Sequence, residues 1–334
     1  MEYCLYHPSQ GYYRRSPGEI FGRGGDYITS PYTHELFAHC LADYFYAWFL
    51  HLDQPAPFHV CELGAGGGRL AGQILTYLAT AFPGLSEVVH YVEIDVDRGD
   101  LPEGLTGIVF SNEFFDALPV HRVCVSGGEL KELHVVQQGE ELREVSGPLS
   151  DPRIGSWLKG AFRELKEGWI YEVNLRMANV LRALDQRIGR GAVLTIDYGY
   201  TEPEYQAMPR PAGTLACYRN HQVSYNPCDH PGEQDMTCHV HWGMLMQSGR
   251  DLGWKNQELM TQRDFLMGTG LAERLIREET AGLFSTDRLS ARLEMKQLLC
   301  PGGISDTLRV LVQEVRCPGL NPVSARSEQE SAFE

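Results

Sequence analysis

An apolar run that breaks into glycines constrains this chain more than any other stretch: Val60-Cys-Glu-Leu-Gly-Ala-Gly-Gly-Gly-Arg-Leu70. Phe58 and Val60 open a buried strand. Gly64, Gly66 and Gly68 let the backbone bend tightly and approach a ligand closely. Leu70, Ile74, Leu75 and Leu78 then recur at helical spacing. The stretch reads as a strand, a glycine turn and a helix.

Two ligand chemistries compete for such a turn. A dinucleotide site needs G-x-G-x-x-G, with a pyrophosphate resting on the helix N-terminus. This chain has G-x-G-x-G, with Glu62 two residues before the first glycine. A carboxylate there repels a diphosphate and suits a cation. S-adenosylmethionine (SAM) carries an ammonium and a sulfonium and no phosphate. Glu62, Gly64 and Gly66 are therefore expected to bind SAM in preference to NAD. The bland alternative is a glycine turn with no ligand, because three glycines alone are a weak signal.

Bulk properties remove several function classes. The net charge of −15 argues against nucleic acid or an anionic membrane as partner, since phosphate binding needs clustered Lys and Arg. A basic peptide or a cationic cofactor fits better. Nine cysteines lie scattered without a C-x-x-C pair, which points to free thiols in a reducing compartment and to a cytoplasmic location. Cys238-His-Val-His241 resembles a metal cluster, but a strand with alternating faces is the stronger reading. No run approaches the roughly 18 apolar residues of a membrane span. The N-terminal residues read as neither a signal nor a transit peptide.

Along the chain, residues 1–57 form a Tyr-, Gly- and Pro-rich arm followed by a helix. Thr33 is placed to cap that helix, which runs to about His51 with Leu36, Phe37, Leu41, Tyr44, Phe45 and Trp48 inward. Residues 58–200 form the cofactor-binding core. Within it, Val88–Asp95 and Gly107–Glu113 read as parallel strands, 120–150 as a small antiparallel excursion, 172–188 as a helix, and Ala192–Tyr198 as another buried strand. Glu93 lies near a strand end, where an acid binds ribose hydroxyls in such folds; an ordinary surface acid at a strand end is the equal alternative. Residues 201–250 have little periodicity and read as an inserted functional loop covering the substrate. Residues 251–317 return to the core, with a short strand from Gly253-Trp254, helical segments to about Leu299 and a last strand at Leu308–Val315. Residues 318–334 are polar and expected to be disordered.

Six motifs occur in order: Leu5-Tyr-His-Pro-Ser-Gln-Gly-Tyr-Tyr13, Gly25-Asp-Tyr-Ile-Thr-Ser-Pro31, Glu62-Leu-Gly-Ala-Gly66, Ser111-Asn-Glu-Phe-Phe-Asp-Ala-Leu-Pro119, Ile196-Asp-Tyr-Gly-Tyr200 and Gly232-Glu-Gln-Asp-Met-Thr237. Together they resemble the MidA-like SAM-dependent methyltransferases, the family of the mitochondrial complex I assembly methyltransferase, over about residues 1–315. The resemblance implies an α/β fold of the class I SAM-dependent methyltransferase type, Rossmann-like and mostly parallel, with an N-terminal arm and substrate-covering insertions. It also implies methylation of an arginine on a protein substrate, in one member a respiratory-complex subunit.

A protonated guanidinium is a poor nucleophile, and carboxylates that grip it can align it for attack. Glu113, with Asp116 second, is the expected guanidinium partner; helix capping is the ordinary alternative. Matching the motifs assigns Asp26, Thr29, Ser30 and Asn112 to cofactor binding, and Asp197 and Asp235 to the acceptor side. His221 is a candidate proton acceptor, although a lone His is more often structural. Two departures stand out. The family turn usually continues Pro-Gly-Arg-Gly-Thr, whereas this chain has Ala65-Gly-Gly-Gly-Arg69. Residues 96–105 are also too short for the helix and strand normally found there. Either the sheet edge is pared down or residues are absent from the sequence. A non-catalytic assembly protein and a small-molecule methyltransferase are the competing readings.

Overall fold

In the computed structural model, the described residues are 1–15, 20, 35–280 and 304–317. They fall into two units that interleave along the chain.

One unit, drawn from residues 28–113, 184–197 and 252 onward, is built on a mainly parallel sheet. Its strand order is Lys255–Asn256, Leu308–Val315, Ile188–Tyr200, Leu105–Asn112, Phe58–Leu63 and Val89–Ile94. The central strands are buried at most positions, where Val, Ile, Leu and Phe stand with small residues, as parallel strands covered on both faces require. Phe58, Val60, Ile108, Phe110, Leu194 and Ile196 share a core with the helix Glu35–His51. That helix buries Leu36, Phe37, Leu41, Tyr44, Phe45 and Trp48 as expected, and most of its other residues too. The helix Arg69–Ala81 adds Leu70, Ile74 and Leu78 to the same core, whereas Leu75 turns out to solvent. Asp43, buried in the long helix, is paired with Arg274 and accepts a hydrogen bond from the Tyr77 hydroxyl at 3.2 Å.

Among the described residues, Val89–Ile94 is the sheet edge. The next strand, Leu105–Asn112, lies on the other side of Phe58–Leu63 and also runs parallel to it. Ten residues, 95–104, make that crossover with no helix. Extended chain of that length reaches about 33 Å, enough to return along an eight-residue strand of roughly 27 Å. The expected shortened edge is therefore the edge observed.

The other unit, drawn from residues 1–27, 114–183 and 198–251, holds two antiparallel sheets. The excursion expected at 120–150 is a four-stranded sheet, in the order Glu141–Gly147, Glu129–Gln138, His121–Ser126 and Ile170–Val173. It reaches further along the chain than expected, because residues 170–173 pair with the first strand instead of opening a helix; that helix begins at Arg176. The 201–250 stretch is more ordered than its sequence suggests. It contains the helix Glu202–Ala207, four short strands, Ala216–Arg219, Gln222–Ser224, Asp235–Thr237 and Val240–His241, and most of the helix Trp242–Asp251. Leu215, Cys217, Met236 and Cys238 from this stretch pack with Leu5 and Tyr12 of the N-terminal segment. Thr33, the helical segments expected between 281 and 299 and the 318–334 tail lie outside the described residues.

Candidate functional site

Register alone brings three polar side chains together. Residues opposite one another in parallel strands share a face, as do alternate residues along one strand. Glu62 lies opposite Glu93 on one side and Phe110 on the other. Asn112 shares its face with Phe110. Glu93, Glu62 and Asn112 thus stand on one face at the carboxyl ends of three adjacent strands, where α/β sheets bind ligands.

The glycine turn meets the tip of the edge strand. Gly64 and Ala65 donate their amides to the Ile94 carbonyl at 2.8 and 3.3 Å, and Gly66 N donates to Asp95 Oδ2 at 2.6 Å. Gly68 has φ +71°, and a Cβ there would sit 2.9 Å from Glu93 Oε2. Any other residue would be strained at that φ and would push the Glu93 carboxylate aside.

The charges at this tip are unequal in character. Glu62 is only 4% exposed, and its Oε2 accepts the Tyr91 hydroxyl at 2.6 Å. Burial pushes its pKa up to about 8, against the lowering effect of Tyr91. Asn112 Nδ2 donates to Glu113 Oε1 at 3.1 Å, while its Oδ1 is buried with no hydrogen-bond partner. A buried acid whose pKa burial raises, beside an orphaned acceptor, fits a ligand that carries an ammonium and further N–H donors. SAM is such a ligand. Glu93 is engaged differently: Arg98 Nη2 lies 2.8 Å from its Oε2 and donates to the Gly66 carbonyl at 2.6 Å. Tyr91, Asp95 and Arg98 were not singled out from sequence. Tyr91 had a signal, since it lies two residues before Glu93 on the face that Glu62 shares. Arg98 had none beyond the shortness of its segment.

On the same unit, Glu113 ends the strand with φ 54°, a left-handed conformation unusual for a non-glycine residue, and its amide donates to the Ile196 carbonyl at 2.9 Å. Asp197 is wholly buried at the end of its strand. Asp116 and Asp235 belong to the other unit. Asp116 is 4% exposed, and its carbonyl accepts the Cys238 amide at 2.9 Å. Asp235 Oδ1 accepts both the Tyr13 hydroxyl and the Met236 amide at 2.8 Å. His221 is exposed in the two-residue turn joining Ala216–Arg219 to Gln222–Ser224, where Asn220 and His221 have φ of 50° and 57°. That geometry accounts for it as a hairpin turn residue. Asp26, Thr29 and Ser30 lie outside the described residues.

The Cys238–His241 stretch carries no metal grouping among the described residues. The expected strand with alternating faces is reduced to Val240 and His241, which pair in parallel with Gly199 and Tyr200 and are both buried, while Cys238 and His239 lie outside it. Both ring nitrogens of His241 are used, Nε2 with the Ala161 carbonyl at 3.1 Å and Nδ1 with the Met244 amide at 3.2 Å.

The profile of the S-adenosyl-L-methionine-dependent methyltransferases matches residues 40–99 and 96–260. The chain belongs to that family. Its match breaks at 96–99, within the short crossover. A crystal structure from Burkholderia thailandensis bound to S-adenosyl-homocysteine (SAH) superposes with a TM-score of 0.82 at 27% identity, covering 97% of this methyltransferase and 89% of that chain. The protein arginine methyltransferase NDUFAF7 homolog of Drosophila melanogaster is 25% identical over 73% of this chain and 64% of its own length. The Mus musculus protein arginine methyltransferase NDUFAF7 is 26% identical over 82% and 70%. The match therefore spans about two thirds of the length of these curated relatives. Both relatives are named as mitochondrial, which overturns the expected cytoplasmic location. Scattered free thiols report a reducing environment and do not distinguish one reducing compartment from another. No helix among the described residues is long and apolar enough to cross a membrane.

Proposed function

We propose that this methyltransferase modifies an arginine side chain of a protein substrate. The observation that carries the reading is Glu113, a carboxylate held in a strained backbone conformation at the tip of the strand that also presents Asn112. Such strain persists where the surrounding structure over-determines it, and it clusters at functional sites. The names of the curated relatives support arginine as acceptor. A target within a respiratory complex rests on the family resemblance alone.

Bound SAM supplies an electrophilic methyl group on its sulfonium. The chain's own residues position the reactants, since an in-line displacement asks for little more. Glu62 takes the ligand's ammonium, Glu93 the ribose hydroxyls, and Asn112 Oδ1 an N–H donor. Glu113 grips the guanidinium and draws its charge away from the attacking nitrogen. Asp116 is the second acidic partner, and Asp197 and Asp235 serve acceptor binding. Asp26, Thr29 and Ser30 are given to cofactor binding by the family resemblance alone. His221, as an exposed turn residue, is given no part in the transfer.

The test is transfer of labelled methyl from SAM to arginine peptides and to a mitochondrial protein extract, with methylarginine identified by mass spectrometry. Glu113→Gln should abolish transfer while calorimetric affinity for SAH stays unchanged. Turnover on a metabolite and none on arginine would reassign the acceptor. A second reading, a non-catalytic scaffold, is favoured by the engagement of Glu93 with Arg98; it predicts no SAH binding at high ligand concentration.

A further inference from the structure

The short crossover places a cation on the cofactor side of the sheet. Residues 95–98 form a tight turn, with Asp95 N donating to the Arg98 carbonyl at 2.9 Å and Arg98 N to the Asp95 carbonyl at 3.3 Å. Asp95 also fixes this turn to the glycine turn through Gly66 N. Gly99 follows at φ +77°, and a Cβ there would lie 2.0 Å from the Glu93 carbonyl. The chain is therefore pressed against the end of the edge strand, and Arg98 is swung back over the glycine turn. One of its nitrogens, Nη2, reaches both Glu93 Oε2 and the Gly66 carbonyl.

These are groups that a ribose at this turn would need. An acid that binds a ribose diol accepts from both hydroxyls, and Arg98 already holds one of its two oxygens. We infer that Arg98 is a cofactor-affinity determinant, competing with the ribose hydroxyls for Glu93 so that cofactor binding requires the guanidinium to swing away. The inference rests on the reading of Glu93 as the ribose acid. Arg98 and Glu93 are 42% and 34% exposed in their side chains, so solvent and salt screen the pair and its displacement is feasible. The competition also has a sign for the sulfonium. A cation tethered near the site disfavours SAM, which carries one positive charge more than SAH.

The experiment is titration calorimetry of the full chain with SAH and with SAM. Arg98→Ala should tighten SAH binding by about 1.5- to fivefold, the range set by an exposed ion pair. It should tighten SAM binding more than SAH binding. Arg98→Lys, which keeps the charge without the planar fork, should fall between wild type and Arg98→Ala. Thermal melts confirm that each variant is folded. Unchanged or weaker SAH binding in folded Arg98→Ala overturns the inference while leaving the cofactor reading intact. Absence of binding in every variant overturns both.

Discussion

The Tyr91 hydroxyl donates to the Glu62 carboxylate at 2.6 Å, yet burial outweighs that bond and keeps the acid protonated up to about pH 8. At neutral pH, binding a ligand ammonium there must expel the proton. The affinity for SAH is therefore expected to rise with pH by up to about tenfold per unit, and to level off near pH 8. Above that, the ligand's own α-amino group begins to lose its proton. Calorimetry at pH 7 in buffers of different ionisation heat should report about one proton released per site. Glu62→Gln should remove the pH dependence. A wild-type affinity flat from pH 6 to 8 would take Glu62 out of the ammonium site.

Glu113 offers a separation of strain from chemistry. Its φ of 54° costs a residue with a Cβ roughly 1 kcal/mol, and glycine escapes that cost. Glu113→Gly gives back part of the gain through the freer unfolded chain. It is expected to match the wild type in thermal melts or exceed it slightly, and to be more stable than Glu113→Ala by roughly 1 kcal/mol. Both variants should lose methyl transfer. A Glu113→Ala variant as stable as Glu113→Gly would show that the site carries no strain, and retained transfer in either would remove the carboxylate from the reaction.

What the sequence made legible is what local pattern encodes. Val60 to Leu63 and Ala192 to Tyr198 are apolar runs ended by glycine or acid, so their strands and the placement of Glu62, Glu93 and Asn112 at strand tips followed from the spacing. The 201–250 stretch failed for a physical reason. Its strands are two to four residues long, and two of them, Ala216–Arg219 and Asp235–Thr237, pack with Leu5 and Tyr12, about 200 residues away along the chain. No local window contains that partner. Strand Ile170–Val173 is similar, because its partner His121–Ser126 lies across an intervening hairpin and helix. Arg98 escaped because a short segment announces that something is missing without saying which side chain fills the space.

His241 sets an acid limit on stability. With Nε2 on a carbonyl and Nδ1 facing an amide N–H, the ring must be neutral, and protonating Nδ1 would break the Met244 bond. Burial accordingly lowers its pKa from 6.5 to about 4. A histidine lowered in the folded state contributes stability that is full above its unfolded value and is lost as pH falls from 6.5 through about 4. The loss attributable to this one buried ring is on the order of 3 kcal/mol. His239, also lowered to about 4 by burial, acts in the same direction. Denaturant melts at pH 7 and pH 5 should show the drop, and His241→Gln should show a smaller one. An equal drop in that variant would place the sensitivity elsewhere.

Tyr13 reaches across 222 residues of sequence to donate to Asp235 Oδ1 at 2.8 Å. Asp235 is 2% exposed and its backbone pairs with Tyr218, so the carboxylate's direction depends on its donors, Tyr13 among them. Tyr13→Phe keeps the ring and removes one donor to a charged group, a change worth about 1.5–3 kcal/mol. If Asp235 binds the acceptor, the variant should raise KM for an arginine peptide several-fold. SAH affinity should not change, because Asp235 belongs to the unit that lacks the glycine turn. Asp235→Asn should raise KM further and should make the Tyr13→Phe change silent when the two are combined, as expected for residues acting through one another. A peptide KM unmoved by Tyr13→Phe, in protein whose melting shows that the bond was lost, would confine this contact to stability.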